Sequence, residues 1–232
     1  MSSPANSLGG TAYDVLRAEI LAGHLAPGQK LRPSALRGQY DLGLTPIREA
    51  LMRLTSEGLA TFTERRGATV RAATLDEFRE LMDTRRDVET ICLSRAIARG
   101  DDAWEADILR AHHLLTRARL PGTDDDPQTA TDWETAHRQF HFALVSACGS
   151  TWHLDFWNTL ADHSERYRRL RLREVQSSLP DVEEMNAQHE NIMKAVIDRD
   201  PARACNLMSD HLAGTERFVV NLFENRTMGD PA

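Results

Sequence analysis

Four histidines in the second half of the chain have the residue type and spacing that a metal site requires. His137 and His141 are four residues apart, so a helix would place both on one face. His189 and His211 follow in two later segments. Imidazole nitrogens suit Zn²⁺, Ni²⁺, Cu²⁺ and Fe²⁺, and helical bundles build metal sites from facing helices. The spacing alone also fits chance, because nine histidines in 232 residues produce such a pair fairly often.

A histidine pair with this spacing also occurs in zinc hydrolases, which place a glutamate directly after the first histidine as general base. Here that position holds Arg138. We also find no serine or cysteine nucleophile with a nearby base. A metal-dependent hydrolase using His137 and His141 is therefore the least favoured alternative, and we expect no enzymatic activity.

A second group of residues, beginning at Thr45, has the chemistry of a DNA-reading helix. Thr45 is a good helix N-cap, and Pro46 is favoured at the first helical position. Arg48 would then lie in the first turn, and a guanidinium can form two hydrogen bonds to guanine in the major groove. The alternative is an ordinary solvated arginine that pairs with a neighbouring carboxylate.

The first third of the chain predicts the elements that would present Arg48. Apolar periodicity, glycines and β-branched runs predict three helices and a hairpin. The helices are expected over 11–22, 34–40 and 46–57, and the strands over 59–63 and 69–71. This is the order of a winged helix-turn-helix domain, whose third helix enters the major groove while the hairpin reaches an adjacent groove.

The rest of the chain has no strand signal and predicts an all-helical bundle, so the fold class is mainly α. We expect domains over 11–72 and 74–224, with mobile tails over 1–10 and 225–232. Five arginines between 166 and 173 surround one helix, so most are expected to be solvated or at a dimer contact. The six helices are expected over 75–99, 101–119, 129–147, 151–175, 181–198 and 201–223.

The charge is divided unevenly along the chain. Residues 1–71 carry nine Lys or Arg and six Asp or Glu, a net +3, whereas the remainder carries 19 and 29, a net −10. A basic N-terminal part on an acidic body fits a DNA-binding domain joined to one that must not bind DNA. The sequence has no apolar run of roughly 20 residues and no signal peptide. With three widely spaced cysteines, expected to be reduced and mostly buried, these features predict a cytoplasmic protein without a membrane partner.

The N-terminal motifs resemble the GntR family of transcription regulators. The matching segments lie, without a gap, within residues 12–71: LAPGQKL at 25–31, TPIREAL at 45–51, RLTSEGL at 53–59 and RGATV at 66–70. The resemblance implies a winged helix-turn-helix that binds a roughly palindromic operator in double-stranded DNA as a homodimer. By position, the family's DNA contacts fall on Ser34, Thr45, Arg48, Arg66 and Gly67.

The chain departs from the family pattern at two places, one before Thr45 and one at the start of the second helix. Leu44 stands where the family often has arginine, and Pro33-Ser34 stands where it often has Glu-Arg. Arg32 or Arg37 would have to supply the missing contacts. The usual operator sequence is therefore not expected.

Residues 75–223 resemble the six-helix FCD domain, the ligand-binding partner of many GntR regulators. In that domain an acidic residue and three histidines hold a divalent metal at the floor of an effector cavity. The histidine positions match His141, His189 and His211, whereas the acidic position is His137. His137 could be a fourth ligand or not coordinate at all. The strings that carry the match are Arg85-x-x-Val88-Glu89, Phe140-His141, His189-x-x-Ile192-x-x-Ala195 and His211-Leu212.

The resemblance implies one divalent ion per chain, with zinc as first choice and nickel, manganese or iron as others. It places Arg85 at the effector cavity, where a guanidinium beside the metal suits a carboxylate. An intrahelical pair with Glu89 is the equal alternative, and Arg166 and Tyr167 are weaker candidates. We therefore expect a repressor that releases DNA when a small organic acid binds. The alternative is a metal-free pocket for an apolar or acyl ligand.

Overall fold

The computed structural model describes residues 8–64, 67–120, 127–174 and 179–228. The chain forms two compact units, residues 1–74 and 75–232, and each is described separately. None of the described helices is long and apolar enough to cross a membrane. All three cysteines are free; Cys92 and Cys148 are buried and Cys205 is partly exposed.

The first unit is a three-helix winged-helix domain. Its two strands form an antiparallel hairpin in which Ala60 pairs with Val70 and Phe62 with Ala68. The mainly helical, winged helix-turn-helix prediction is confirmed. Its elements are α1 (Leu8–Leu21), α2 (Pro33–Tyr40), α3 (Leu44–Ser56), β1 (Ala60–Thr63) and β2 (Gly67–Val70).

The core of this unit follows from the apolar periodicity of α1 and α3, which pack against each other. Leu16 and Ile20 come from α1, and Ile47 and Leu54 from α3. Each is almost completely buried. Burying one such side chain contributes about 1.5–3 kcal/mol. This packing holds the opposite face of α3, which carries Arg48, towards solvent.

The predicted capping role of Thr45 is wrong. The helix α3 begins two residues earlier than predicted, at Leu44, and its N-cap is Gly43 without a side-chain cap bond. Pro46 therefore lies within the first turn, where its missing N–H breaks no helical hydrogen bond. A Cβ at Gly43 would lie 3.2 Å from the Pro46 Cδ atom, so the proline ring favours glycine at the cap.

The predicted tails were too long. The helix α1 begins at Leu8, and the last helix ends at Met228. Helical periodicity does not reveal how far polar or small residues extend a helix beyond its buried stretch. The remaining tail residues, 1–7 and 229–232, lie outside the described ones.

The second unit is helical throughout its described part. Its central helix, α4, packs on both α7 and α9, while α5 packs on α6 and α8. Asp101 caps α5 by accepting a 2.9 Å hydrogen bond from the Trp104 backbone N–H. A 3-10 turn over Ser146–Cys148 follows α6. The helices are α4 (Leu75–Arg99), α5 (Asp102–Arg117), α6 (Pro127–Val145), α7 (Thr151–Glu174), α8 (Leu179–Ile197) and α9 (Pro201–Met228).

Candidate functional site

The four histidines predicted as metal ligands meet inside the helical unit. His137 and His141 come from α6, His189 from α8 and His211 from α9. One ring nitrogen from each can be chosen so that all four lie within 4.8 Å of one another. The centroid of the His141 ring lies 4.5 Å from that of His137, 5.4 Å from that of His189 and 5.2 Å from that of His211. The sequence identified the cluster correctly, including His137.

All four rings are buried, with exposed fractions between 1% and 7%. Among the described residues, neither ring nitrogen of His141 has a hydrogen-bond partner, and Nδ1 of His137 has none. Leaving a buried polar nitrogen unpartnered costs about 1–3 kcal/mol, and such groups are rare in folded proteins. The ring of His137 is held by stacking on Trp133, with centroids 4.7 Å apart. The unpartnered nitrogens therefore point to a missing ligand common to the cluster.

Two of the four histidines, His137 and His141, are held in the neutral form that a metal requires. Burial lowers the pKa of His141 well below its usual value, and the neighbouring His211 and His189 lower it further. Burial likewise lowers the pKa of His137, as do His141 and Arg168. Neutral imidazole offers a lone pair, so no proton has to be displaced at neutral pH before coordination.

The donor set and spacing fit a divalent transition metal. Zinc binds imidazole nitrogen at about 2.0–2.1 Å, which separates ligand atoms by roughly 3–4 Å. Nitrogens already within 4.8 Å of one another need small ring movements to reach that separation. Four imidazoles favour zinc, nickel, copper or iron over the oxygen-preferring magnesium and manganese.

A hydrogen-bonded pair on α8 orients one of the four rings. The Gln188 Oε1 atom lies 3.0 Å from Nδ1 of His211, and Nε2 of Gln188 donates to Glu184 at 3.3 Å. A carboxamide oxygen can only accept, so Nδ1 of His211 carries the proton. Its lone pair for a metal is then on Nε2. Gln188 carries no signal in the sequence, because nothing in its spacing relates it to His211.

Two buried guanidiniums lie near the histidine cluster, and they meet at one hydroxyl. Nη1 of Arg85 donates to Ser164 Oγ at 2.5 Å, and Nη1 of Arg168 donates to the same oxygen at 3.1 Å. Both arginines lower the pKa of His141, after burial and the neighbouring histidines. Burial lowers the pKa of Arg85 to about 10, so this side chain remains charged at neutral pH.

Each of these arginines also faces a buried carboxylate. Nε of Arg85 lies 3.6 Å from Glu89 Oε2, which in turn accepts a 2.7 Å bond from Trp157 Nε1. Nη2 of Arg168 donates to Glu134 at 3.0 Å. The predicted pairing of Arg85 with Glu89 is therefore present in the structure. Burial raises the pKa values of Glu89 and Glu134, and the facing guanidiniums of Arg85 and Arg168 oppose this effect.

The predicted solvation of the arginine run is wrong for three of its members. Arg166, Arg168 and Arg169 are less than 10% exposed. Each is buried with a carboxylate partner, which offsets the cost of removing it from water. Arg166 donates hydrogen bonds to Glu77 and to the Tyr167 hydroxyl. Arg168, which the sequence did not single out, lies close enough to the cluster to lower the pKa of His141.

Glu134→Ala is expected to lower the free energy of unfolding by about 3–5 kcal/mol, because it leaves the Arg168 charge buried without its carboxylate. Urea denaturation followed by circular dichroism measures this. The double variant Glu134→Leu with Arg168→Met removes both charges and is expected to recover most of the loss. A single variant as stable as the wild type would show that Arg168 finds another partner.

The predicted DNA-contact residues of the first unit lie at its surface. Ser34, Thr45 and Arg48 are exposed, on α2 and α3, and Gly67 begins β2 with a left-handed φ of 74°. Within the part of the chain that the structure describes, Arg48 has no ion-pair or hydrogen-bond partner, so the paired alternative does not hold. Arg66 lies outside the described residues.

Family models match both parts of the chain. Residues 8–70 match the model for bacterial regulatory proteins of the gntR family, and residues 80–214 match the FCD domain. The HTH-type transcriptional repressor GlaR of Escherichia coli K12 is 38% identical over 86% of this chain and 90% of its own. The uncharacterized regulator BphR of Paraburkholderia xenovorans is 32% identical over 89% of this chain and 83% of its own.

The fold also matches a solved structure. The structure titled E. coli McbR/YncC superposes with a TM-score of 0.75, over 96% of this chain and all of the other, at 17% sequence identity. That identity supports the fold alone. The relatives are transcription regulators and not enzymes, which contradicts the hydrolase alternative.

Proposed function

Because the chain belongs to the GntR family of bacterial regulatory proteins and carries its FCD domain, we propose that it is a repressor whose DNA binding is controlled by a small organic acid at a metal-containing site. The observation that carries the proposal is the convergence of four buried histidines, whose ring nitrogens lie within 4.8 Å of one another. Among the described residues, both ring nitrogens of His141 and Nδ1 of His137 have no hydrogen-bond partner. The name of GlaR, a repressor, supports repression over activation.

We assign DNA binding to residues 11–72. The exposed face of α3 carries Thr45 and Arg48, and Ser34 and Gly67 lie on α2 and β2. Arg48 reads a base edge, because its guanidinium is exposed and has no partner among the described residues. Thr45 bonds a phosphate at the start of α3, where backbone N–H groups also favour an anion. Arg66 is retained as a wing contact from the family resemblance.

We assign effector binding and dimerisation to residues 74–224. His137, His141, His189 and His211 would hold one divalent ion, with zinc as first choice and nickel or iron as others. When bound, that ion supplies a Lewis-acidic site for a carboxylate oxygen. Manganese, named from the family resemblance, fits an all-imidazole donor set less well.

The charge balance around the cluster favours an anionic effector. Arg85 is paired with Glu89 and Arg168 with Glu134, and burial lowers the pKa values of His137 and His141, which favours their neutral form. Of the described carboxylates beside the cluster, Glu89 and Glu134 are thus already paired and do not balance the two positive charges of a divalent ion. An effector carboxylate supplies a counter-charge, and the guanidiniums that meet at Ser164 orient its oxygens by charge-assisted hydrogen bonds.

The proposal includes a homodimer, because a palindromic operator requires two equivalent reading helices. The helix α7 presents Trp152 and Phe156, one turn apart, with 79% and 60% of their surfaces exposed. Large aromatic side chains on one helix face are typical of protein interfaces. We assign this face to the contact between subunits.

A metal-free pocket for an apolar or acyl ligand remains the alternative. The histidine nitrogens argue against this alternative. An apolar ligand would leave Nδ1 of His137 and both ring nitrogens of His141 without a partner among the described residues.

The test compares operator binding by the zinc-loaded and the chelator-treated protein. A duplex selected from a random pool is titrated with protein in the presence of a panel of small carboxylates. At least one carboxylate is expected to weaken binding by about 5–150-fold, and only in the zinc-loaded protein. The same response in the chelated protein would contradict the metal-containing site.

Gln188→Leu is expected to weaken zinc affinity by about 10–100-fold, because His211 loses the acceptor that fixes its tautomer and orientation. Competition against a chromophoric chelator measures the change. Gln188→Glu keeps an acceptor beside Nδ1 and is expected to retain wild-type affinity or exceed it. Equal affinities for the leucine variant and the wild type would remove Gln188 from the site.

A further inference from the structure

A cleft in the first unit separates the exposed face of α3 from the hairpin. It encloses about 650 Å³. Arg48, Met52 and Thr55 line it from α3, while Phe62 and Gly67 line it from the hairpin. Arg32, immediately before α2, completes its rim. Arg48 and Gly67 belong to the proposed DNA contacts, whereas Met52, Thr55 and Phe62 have no role in them.

Two apolar side chains that line the cleft are exposed and therefore do not belong to the hydrophobic core of this unit. Met52 is 67% exposed and Phe62 is 64% exposed. Side chains alternate along β1, so Phe62 lies on the same face as buried Ala60 and extends that face outward. Single exposed apolar residues are ordinary, whereas two that line the same cleft offer apolar contact area to a ligand in it.

The rim of the cleft is positively charged. Arg32 and Arg48 are both exposed, and no ion-pair or hydrogen-bond partner of either lies among the described residues. The lining residues that the structure describes include no carboxylate. An apolar floor with cationic edges complements a deoxyribose–phosphate strand, which alternates apolar sugar faces with anionic phosphates.

The docking geometry of a winged helix brings such a strand to this place. The third helix enters the major groove and the wing reaches the adjacent groove. The sugar–phosphate strand that separates those two grooves must then pass between α3 and the hairpin. We propose that this cleft seats that strand, with Met52 and Phe62 packed on deoxyribose and Arg32 bonded to a phosphate. The inference rests on the DNA-binding mode proposed above.

Contacts to deoxyribose can be distinguished from contacts to bases and phosphates by the sequence preference and the salt dependence of DNA affinity. They carry no sequence information, and they release no counterions. Loss of Phe62 or Met52 should therefore weaken binding to every duplex equally and leave its salt dependence unchanged. Loss of a base-reading residue changes sequence preference, and loss of a phosphate contact reduces the salt slope by about one.

The test uses Phe62→Ser and Met52→Ser, which lie on different elements. Both side chains are exposed, so the melting temperature should stay near that of the wild type, which thermal denaturation checks. Leu109→Ser on α5 is the matched control, because Leu109 is apolar and 49% exposed in the other unit. The probes are a duplex selected from a random pool and an unrelated duplex of equal length, and fluorescence anisotropy is recorded at several salt concentrations.

Each cleft variant is expected to lose about tenfold in affinity for both duplexes, with an unchanged salt slope. The control is expected to match the wild type. Affinities within twofold of the wild type for both variants would overturn the inference, as would a loss confined to the selected duplex. So would dissociation of the dimer in gel filtration, which would assign the cleft to a second copy of the chain.

Arg48→Ala separates this inference from the proposal on which it rests. If Arg48→Ala weakens binding and the cleft variants do not, the cleft assignment alone is wrong. If Arg48→Ala also binds normally, α3 does not enter the major groove and the docking mode itself is wrong.

Discussion

His141→Ala is expected to abolish stabilisation of the chain by zinc. His141 is the central ring of the cluster, 99% buried, and neither of its nitrogens has another partner among the described residues. A ligand present at a thousand times its dissociation constant stabilises the folded state by about 4 kcal/mol. Zinc should therefore raise the melting temperature of the metal-free wild type by several degrees and leave that of the variant unchanged.

The matched control is His112→Ala. His112 packs against Phe140, a neighbour of His141 in the sequence, but it is not a member of the cluster. This variant should keep the full response to zinc and to carboxylates. In the His141 variant DNA affinity should stay close to that of the wild type, while the carboxylate response disappears. A normal carboxylate response in the His141→Ala variant would show that the four-histidine cluster is not the sensor.

Arg48→Ala is expected to weaken operator binding by roughly 1–3 kcal/mol, or about 5–150-fold, and to relax sequence preference at one base pair. The physical reason is the loss of a two-hydrogen-bond contact to a base from a guanidinium that is exposed on α3. Selection from a random duplex pool followed by anisotropy titration measures both effects.

The control for this variant is Arg53→Ala, on the same helix. Arg53 donates to Glu57 at 2.9 Å and lies over the Tyr13 ring, so its guanidinium is occupied within the protein. Its removal deletes the same charge and should leave sequence preference intact. Equal losses in the two variants would show that charge alone explains the effect.

Most of the architecture was accessible from sequence because helical periodicity and turn residues determine it locally. The three N-terminal helices, the hairpin and the six later helices were all expected. The start of α3 was misplaced because Thr45 and Pro46 resemble a cap and a first residue. The actual N-cap is Gly43, where a side chain would lie close to the Pro46 ring. This proximity depends on the folded backbone and cannot be read from the sequence.

The residues of the histidine site that belong to a sequence motif could be predicted, whereas those distinguished only by their tertiary contacts could not. The four histidines were identified from residue type and from the family pattern, including His137 at an acidic position. Arg168 was missed, because arginines surround this part of α7 and only the tertiary contact with Glu134 distinguishes the one beside the cluster. Gln188 was missed for the same reason, since its partner lies 23 residues away on α9.

The number of divalent ions retained per chain tests the central claim most directly. The purified wild type is stripped with a chelator, reconstituted with zinc, separated from free metal and analysed by plasma mass spectrometry. The four buried imidazoles predict about one tightly held zinc ion per chain. A chain that retains none after reconstitution would contradict the metal-containing sensor site, while leaving the DNA-binding unit unaffected.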